Sequence, residues 1–525
     1  MPTVYHQAVG PIPQSEPLSP GQVKNHAGGY VYAVDKWQQL DRFLILGSEG
    51  GTYYASPQEH TRENVKAVMQ CIQEDGREVV KRAVQVSVAG RAPRNDPAIF
   101  VMALCMAHMD HIPTRQEAAR QLHRVCRTGS HLFQFLSYVT KLRGGGRALR
   151  NAVRAWYEAT DLDRLALQMV KYRQRYGWTH RDALREFRPK TADPKRNALF
   201  RWAVRGEVDQ PVPELLSGYL RAQDEADVRR LVSLIEQYRL SWEMIPDHHK
   251  NNPFVWEALL EHMPPWAMVR NLGKMTQVGL LGAMSHSERL VTGRLRDKDA
   301  LRRARLHPLT ILVGQSTYAQ GHGVRGHLTW MPNQLIVNAL DDAFYMAFDA
   351  VEPTGKRIVV GLDVSFSMSA SLSGYPLSAA QAAAALAMTV VRTESQYTIM
   401  GFADQFRELR ISPTMRLSTI MEYTAGMTFG GTDCALPMLW AGSNKVEADA
   451  FVVLTDNETW AGRVHPSEAL RQYRRKFVPD ARLAVYGLAS TGFSIADPAD
   501  PGMLDLVGFD TAGPTVMRDF LAGDL

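Results

Sequence analysis

The sequence predicts a protein of two domains, a helical-repeat domain followed by an α/β domain. Helical periodicity dominates from about residue 23 to residue 350, and the connections are short and carry Pro, Gly or Asp. From about residue 355, short apolar strands alternate with helices, which indicates a mainly parallel sheet covered by helices on both faces. The junction, Ala350–Lys356, is short. We therefore expect a packed pair of domains rather than two domains on a tether.

Length and composition are typical of a soluble globular protein, with 525 residues, 45% of them hydrophobic and 22% charged. Residues 1–22 contain Pro and Ser but no apolar run, so we expect a flexible N-terminal arm rather than a signal peptide. The longest apolar stretches, 98–107 and 379–391, are too short to cross a bilayer. Four scattered cysteines favour a reducing compartment. We therefore expect a cytoplasmic protein without a membrane partner.

The helical half, residues 23–354, contains many short helices without a strict sequence period. Such a pattern favours an irregular solenoid of antiparallel helix pairs. A globular all-α bundle is the alternative.

Oxygen-bearing side chains follow the predicted strands of the α/β half. The strands are expected at Arg357–Leu362, Tyr397–Phe402, Ala450–Thr455 and Arg482–Leu488. Because ligands bind at the carboxyl ends of parallel strands, we expect five side chains to meet there, namely Asp363, Ser365, Ser367, Thr432 and Asp456. Three hydroxyls and two carboxylates suit one divalent cation, Mg²⁺, and leave a coordination position for a partner's oxygen. The alternative is a polar loop at the sheet edge, with Asp363 capping a helix.

A local excess of basic residues predicts a polyanionic partner. Residues 111–210 contain 21 Lys and Arg against 9 Asp and Glu, a net charge of +12, whereas the whole chain carries +6. Nucleic acid is the partner that such an excess favours, and a well-solvated helical surface is the alternative.

Two consecutive helices are predicted to present the cations of this region. Periodicity predicts the first over Asp161–Tyr176, ended by Gly177. The segment Thr179–Asp182 is typical of a capping box that opens the second helix, which Pro189 ends. We expect a group of side chains to lie close together there and to bind RNA phosphates: Lys171, Arg175, His180, Arg181 and Arg188.

The α/β half resembles the von Willebrand factor A domain, in which the five positions given above form a metal-ion-dependent adhesion site. Over about residues 23–525, the chain resembles the Ro autoantigen family, whose helical half is the TROVE module. The matching segments are Lys171–Asp182, Arg270–Thr276, Gly321–Gly326, Val351–Arg357, Gly430–Pro437, Thr455–Trp460 and Gly492–Pro498.

The resemblance implies a multidomain protein, with a ring of HEAT-like helical repeats (23–354) closed by a Rossmann-like A domain (355–525). It implies a non-catalytic protein that binds small noncoding Y RNA on the outer face of the ring. Single-stranded 3′ ends of misfolded RNA would enter the central hole. The role implied is RNA quality control and processing or degradation with an exoribonuclease such as polynucleotide phosphorylase, and survival of ultraviolet stress. A bacterial member is expected, and DNA is not expected as a partner.

Some RNA-binding positions are carried over residue by residue. Lys171 and Arg175 match family positions that contact Y RNA. Arg188 stands where animal members have a His, which keeps a cation but changes its size and pH dependence. His180 lies in the same matched segment, although a residue in a capping box also has a structural interpretation. Lys274 and Arg325 lie in matched motifs, and each either faces the hole or fixes loop geometry.

Two other classes of function are compatible with the sequence. A metal-dependent adhesion or assembly factor would act mainly on protein partners, but it has no need of the +12 region. A metal-dependent nuclease would need carboxylates clustered around two ions about 4 Å apart. Asp404, Asp433 and Glu458 lie close enough in sequence to leave such a second site open.

Overall fold

The computed structural model describes residues 11–33, 35–46, 57–90, 95–108, 111–142, 146–208, 212–304, 306–324, 326–372, 375–403, 406–425, 431–488, 493–509 and 513–524. The chain divides into two compact units. The helical unit contains residues 68–89 and 94–346. The α/β unit contains residues 347–525 together with residues 1–67 and 90–93.

The described residues form helices in both units, and they confirm the predicted change from a helical half to an α/β half. Up to residue 346 the helices are α1 Lys36–Leu46, α2 Pro57–Ala89, α3 Asp96–Ala107, α4 Ile112–Val125, α5 Gly129–Leu142, α6 Arg147–Ala159, α7 Leu162–Lys171, α8 His180–Phe187, α9 Pro194–Arg205, α10 Glu214–Asp224, α11 Val228–Tyr238, α12 Pro253–Glu261, α13 Pro265–Gln277, α14 His286–Arg296, α15 Lys298–Arg303, α16 Pro308–Ala319 and α17 Gln334–Met346. The later helices are α18 Ala379–Thr393, α19 Leu417–Ala425, α20 Leu436–Ser443, α21 Pro466–Lys476 and α22 Gly513–Ala522.

The helical unit is an array in which contacts are local in sequence. The main helix–helix contacts join helices one to three places apart along the chain, such as α3 with α5 and α14 with α17. Apolar side chains such as Phe133, Trp156 and Leu259 are buried between these helices. Such an arrangement is typical of helical-repeat proteins, in which each helix pair packs on its neighbours.

The α/β unit contains the main sheet. The strands of the chain are β1 Gln22–Lys24, β2 Tyr30–Ala33, β3 Gln174–Arg175, β4 Trp178–Thr179, β5 Ile358–Asp363, β6 Tyr397–Phe402, β7 Phe406–Glu408, β8 Ala450–Thr455, β9 Arg482–Gly487, β10 Phe493–Ser494 and β11 Met503–Val507. Six of them form one sheet in the order β11-β9-β8-β5-β6-β7, parallel except for the antiparallel edge strand β7. The four predicted strands are confirmed as β5, β6, β8 and β9.

The central strand β5 positions the candidate cation site. Every residue of β5 is buried, so both faces of the sheet are covered at this strand. On one face, Val359 belongs to a core cluster with Met438 of α20 and Leu470 of α21. Strand β5 runs parallel to β8, with Leu362 opposite Leu454. Asp363 and Thr455, which follow these two residues, therefore lie side by side at the carboxyl edge of the sheet.

The N-terminal segment differs from the expected flexible arm. Residues 1–10 lie outside the described residues, but residues 11–33 belong to the α/β unit. Gln14 has no exposed surface, and β2 pairs with both β1 and β10. The expectation is wrong for residues 11–22, because the segment contributes buried amides and strand hydrogen bonds rather than an apolar run. The α/β unit also contains residues 23–67, which we expected in the helical half.

The segment predicted as a helix over residues 161–176 also differs. Helix α7 ends at Lys171, and β3 and β4 then form an antiparallel hairpin. Its two-residue turn is Tyr176–Gly177, with φ angles of 53° and 79°. Positive φ at both turn residues is typical of the type I′ turn, which matches the twist of a two-stranded hairpin. Arg175 therefore lies on a strand and not on the face of a helix.

Within the described ranges, no helix combines the length and the apolar character that crossing a membrane requires. The four cysteines are free thiols and all are buried.

Candidate cation site and candidate nucleic-acid interface

Asp363 is the buried centre of the candidate cation site. It ends β5 with 1% of its surface exposed. The hydroxyl of Thr455 donates to its Oδ2 at 2.6 Å, and the backbone N–H of Ser365 donates to its Oδ1 at 2.9 Å. Donors on both oxygens fix the orientation of the carboxylate. Ser365 caps the short 3₁₀ turn Phe366–Ser369, which contains Ser367, and the hydroxyl oxygens of the two serines are 3.1 Å apart.

Asp456 is the second carboxylate of the site. It follows β8, is 7% exposed, and accepts hydrogen bonds from the Ser367 hydroxyl and from the backbone N–H of Glu458. Burial and the nearby charge of Asp456 raise the pKa of Asp363 to about 7. Burial also raises the pKa of Asp456. The negative charges of two neighbouring buried carboxylates repel each other. A divalent cation bound here would neutralise these charges.

Thr432 lies on a third loop, which the backbone ties to the loop after β8. Its carbonyl oxygen accepts hydrogen bonds from the backbone N–H groups of Trp460 at 2.9 Å and Ala461 at 3.0 Å. Thr432 is 5% exposed. Side-chain hydrogen bonds thus connect Asp363, Ser365, Ser367 and Asp456, and backbone contacts bring the loop of Thr432 to the same edge.

The donor set fits a hard cation that keeps part of its coordination shell open. The described residues contain no group of three or more His, Cys, Asp or Glu side chains placed to hold a metal ion. The site instead combines two carboxylates with three hydroxyls, which are oxygen donors suited to Mg²⁺. Beside it, Phe366 is 78% exposed on the turn between the two serines. An exposed apolar side chain thus lies between two of the proposed ligands, Ser365 and Ser367, in the sequence.

Two further carboxylates near the site are engaged by the N-terminal segment. Asp433 accepts a hydrogen bond from Gln14, and Glu458 lies 3.1 Å from Nδ1 of His26. Both carboxylates are buried. Asp404, the third acid beside the motif, lies outside the described residues.

The candidate nucleic-acid interface consists of the β3–β4 hairpin and helix α8, which follows it directly. Arg175, Arg181 and Arg188 are exposed there. The predicted capping box at the start of α8 is confirmed, since Thr179 and Asp182 exchange hydrogen bonds between side chain and backbone. Arg188 caps the end of α8 with a left-handed φ of 49°. The three guanidinium groups therefore lie on consecutive elements, the hairpin and the short helix that follows it.

Lys171 lies at the end of α7 and has an acidic partner. Its Nζ is 2.5 Å from Oε1 of Glu243, and the side chain is 31% exposed. The same ammonium lies 5.6 Å from the centre of the Tyr172 ring. A phosphate that binds Lys171 would compete with the carboxylate of Glu243.

His180 is not on the surface, so the expectation that it lies beside the exposed arginines is wrong. It is 3% exposed and packs edge-on against Phe133. The Nδ1 atom is 2.8 Å from the hydroxyl of Tyr157. Burial lowers the pKa of His180 to about 3, which makes the ring neutral at physiological pH. The first residue of α8 points inward, and its role is to pack the helix against α5 and α6.

The two remaining predicted RNA-binding residues lie elsewhere. Lys274 is on α13, and its ammonium donates to Asn251 at 2.8 Å and to Gln277 at 2.6 Å. Partial burial lowers its pKa. Arg325 lies outside the described residues. The structure thus gives Lys274 two local hydrogen-bond partners, and both interpretations of this residue stay predictions.

Comparison with known proteins follows the same division of the chain. The TROVE domain model matches residues 23–210 and 235–317, and the Ro60 vWA domain model matches residues 357–521. The chain is 43% identical over 527 residues to the RNA-binding protein RO60 of Deinococcus radiodurans, with 99% of each protein covered. The chain belongs to the Ro60 family. It is also 34% identical to RNA-binding protein RO60 of Caenorhabditis elegans, over 98% of this chain and 92% of that protein.

Structural comparison agrees with this Ro60 assignment. The crystal structure of the Deinococcus radiodurans RO (RSR) protein matches with a TM-score of 0.75 and 42% identity. The match covers 94% of this chain and 100% of that one.

Two further exposed arginines of this Ro60-family chain adjoin the predicted RNA-binding residues but were not among them. Arg173 precedes the hairpin, and Arg185 lies one turn after Arg181 on α8. The spacing of four residues between Arg181 and Arg185 places both on one helix face. This spacing could have indicated that Arg185 is exposed beside Arg181. We call the five exposed arginines of this region the arginine surface: Arg173, Arg175, Arg181, Arg185 and Arg188.

Proposed function

We propose that this Ro60-family protein is a non-catalytic RNA-binding protein and that the arginine surface contacts the RNA. The observation that carries the proposal is the set of five exposed arginines on consecutive elements. Guanidinium groups bind phosphates with paired hydrogen bonds and stack on bases. Two relatives that match almost the whole chain are named RNA-binding proteins.

We propose Y RNA as the structured ligand of this surface. Misfolded noncoding RNA would be a second substrate, whose single-stranded 3′ end enters a central hole in a ring of helical repeats. An exoribonuclease such as polynucleotide phosphorylase would then process or degrade the RNA, and this activity would support survival of ultraviolet stress. The support for these assignments is family membership together with the basic character of residues 111–210. Four free thiols suit a cytoplasmic location.

We further propose that the site at the end of β5 holds one Mg²⁺ ion. Ser365, Ser367 and Thr432 would bind it through their hydroxyls, and Asp363 and Asp456 would supply the negative charge. When bound, the ion would offer a Lewis-acidic position to an oxygen of a partner. The exposed ring of Phe366 favours a protein partner here, because an apolar side chain adds contact area that a phosphate chain does not use.

Titration of the purified protein with a Y-type RNA tests the main proposal. An electrophoretic mobility or filter-binding assay should give an affinity that falls steeply with salt, since phosphate contacts release counterions. The RNA should remain intact after incubation with the protein and Mg²⁺. Failure to bind RNA, or cleavage of the RNA by the pure protein, would overturn the proposal.

A further inference from the structure

The buried amide of Gln14 joins two loops of the candidate cation site. Its Nε2 donates to Oδ1 of Asp433 at 2.7 Å and to the carbonyl of Val464 at 2.9 Å. Its Oε1 accepts from the hydroxyl of Thr459 at 2.6 Å. Both N–H groups and the carbonyl oxygen of the amide are therefore in use, and Gln14 has no exposed surface.

The partners of Gln14 are close neighbours of the proposed cation ligands. Asp433 directly follows Thr432, and Thr459 lies three residues after Asp456. The Thr459 hydroxyl also accepts a hydrogen bond from the backbone N–H of Cys434. One side chain from the start of the sequence thus fixes the spacing between the loop of Thr432 and the loop of Asp456.

The backbone around Gln14 holds the amide in place. The N–H of Gln14 donates to Gly462 at 2.9 Å, and its carbonyl accepts from Tyr30 of β2 at 2.7 Å. A Cβ atom at Gly462 would lie 2.2 Å from the Gln14 amide nitrogen, which shows how closely the loop approaches. Asn25 adds a second bridge, since its amide donates to the carbonyl of Thr459 at 2.7 Å.

We propose that Gln14 is a positioning residue for the cation site: it sets the separation of the loops of Thr432 and Asp456 and thereby the affinity for the ion. The inference rests on the proposed cation site. Residues that orient metal ligands through hydrogen bonds commonly change metal affinity by about 10- to 100-fold when replaced. Gln14 occupies this role although more than 400 residues separate it from Asp433 and Thr459.

The same N-terminal segment offers a matched control. Gln22 is also a buried glutamine, at 8% exposure, and its amide lies 3.4 Å from Nδ1 of His465. His465 is the N-cap residue of α21 and lies nine residues after Asp456, at the far end of the loop that follows β8. Replacing Gln22 removes a comparable amide from the α/β unit without touching Asp433 or Thr459.

The test is the affinity of the full-length protein for Mn²⁺, measured by isothermal titration calorimetry. Gln14→Met preserves the length of the side chain and removes its hydrogen bonds. We expect the Mn²⁺ dissociation constant to rise about tenfold or more in this variant and to change by less than about twofold in Gln22→Met. Thermal unfolding in EDTA should show similar losses of stability in the two variants. A difference in Mn²⁺ affinity between them then cannot come from a general loss of stability.

Gln14→Asn is the second variant, for use if the methionine protein fails to fold. It keeps the polar group but is too short to reach Asp433 and Thr459 together, so it should also weaken Mn²⁺ binding. Wild-type affinity in the Gln14 variants, or equal weakening in Gln22→Met, would overturn the positioning role. Absence of Mn²⁺ and Mg²⁺ binding to the wild-type protein would instead overturn the proposed cation site, and with it this inference.

Discussion

Thr455 donates a 2.6 Å hydrogen bond to the carboxylate of Asp363 and so joins the ends of two parallel strands. Together with the N–H of Ser365, it holds both oxygens of a carboxylate that is almost completely buried. Burial and the charge of Asp456 raise the pKa of Asp363, and these donors lower it. The resulting pKa is about 7. A carboxylate held in this way has a fixed orientation before any ion arrives.

Asp363→Asn should abolish binding of Mn²⁺ and Mg²⁺ to the folded protein. The amide has nearly the same shape but supplies no negative charge, and the charge is what attracts the ion. Isothermal titration calorimetry measures the loss, and circular dichroism checks the fold. Asp449→Asn is the matched control, because Asp449 is a carboxylate of the same unit that pairs with Arg357 away from the site. Normal Mn²⁺ affinity in the Asp363 variant would show that the ion binds elsewhere.

The double variant Arg175→Ala and Arg188→Ala should weaken Y RNA binding without unfolding the protein. If each arginine contacts one phosphate, the slope of log affinity against log salt should become shallower by about 1.5. Filter binding at several salt concentrations measures this slope. Arg229→Ala with Arg230→Ala is the control, since it removes the same charge from exposed positions of α11. Equal effects of the two double variants would mean that only overall charge matters.

Glu243→Gln should strengthen RNA binding, in contrast to the arginine substitutions. The carboxylate of Glu243 holds the ammonium of Lys171, and its neutral replacement frees that cation for a phosphate. Partly exposed ion pairs contribute little net free energy, so we expect a gain of about twofold to fivefold in affinity. Glu236→Gln, an exposed carboxylate on α11, serves as the control for the change in net charge. A loss of affinity in Glu243→Gln would show that Lys171 needs this partner to bind RNA.

We expect the protein to become less stable as the pH drops below 6.5, because His180 is buried as a neutral ring. The folded protein keeps the buried ring neutral, because its pKa is lowered to about 3, whereas the unfolded chain takes up a proton near the ordinary value of 6.5. A lowered folded pKa gives stability that is fully present above the unfolded pKa and is lost as the pH falls toward the folded value.

Denaturant unfolding of wild type and His180→Gln at about pH 7.5 and about pH 5 measures this contribution. The variant should be less stable by about 1 to 3 kcal/mol at the higher pH, because a buried hydrogen bond and ring packing are lost. It should then lose less on acidification than the wild type does. Identical pH dependence in the two proteins would contradict the buried neutral state of His180.

The sequence was sufficient to predict the four inner strands of the main sheet, β5, β6, β8 and β9, together with the proposed cation ligands, because both depend on local patterns. Strands β5 and β8 are six-residue apolar runs, and Asp363 and Asp456 follow them directly. In a parallel sheet those ends lie at one edge, whatever the loops between them do. The edge strands β7 and β11 are short or interrupted by charged residues, so no comparable pattern indicated them.

The features that the sequence did not indicate are one local turn of the backbone and several contacts between distant residues. Helical spacing continued past Lys171, and only the positive φ angles of Tyr176 and Gly177 turn the chain into a hairpin. A capping box indicates where α8 begins but not that His180 points inward. Likewise, nothing near Gln14 in the sequence specifies Asp433 as its partner, because a polar segment without apolar periodicity looks the same whether exposed or buried.

The pairing of β2 with β10 has a consequence for how the protein is made. A ribosome delivers Tyr30–Ala33 long before Phe493, so the edge of this strand that does not pair with β1 has no partner until β10 has been synthesised. The helices of the helical unit, by contrast, meet neighbours that emerge soon after them. Products that terminate before residue 493 therefore keep β2 with one unpaired edge, and we expect them to aggregate.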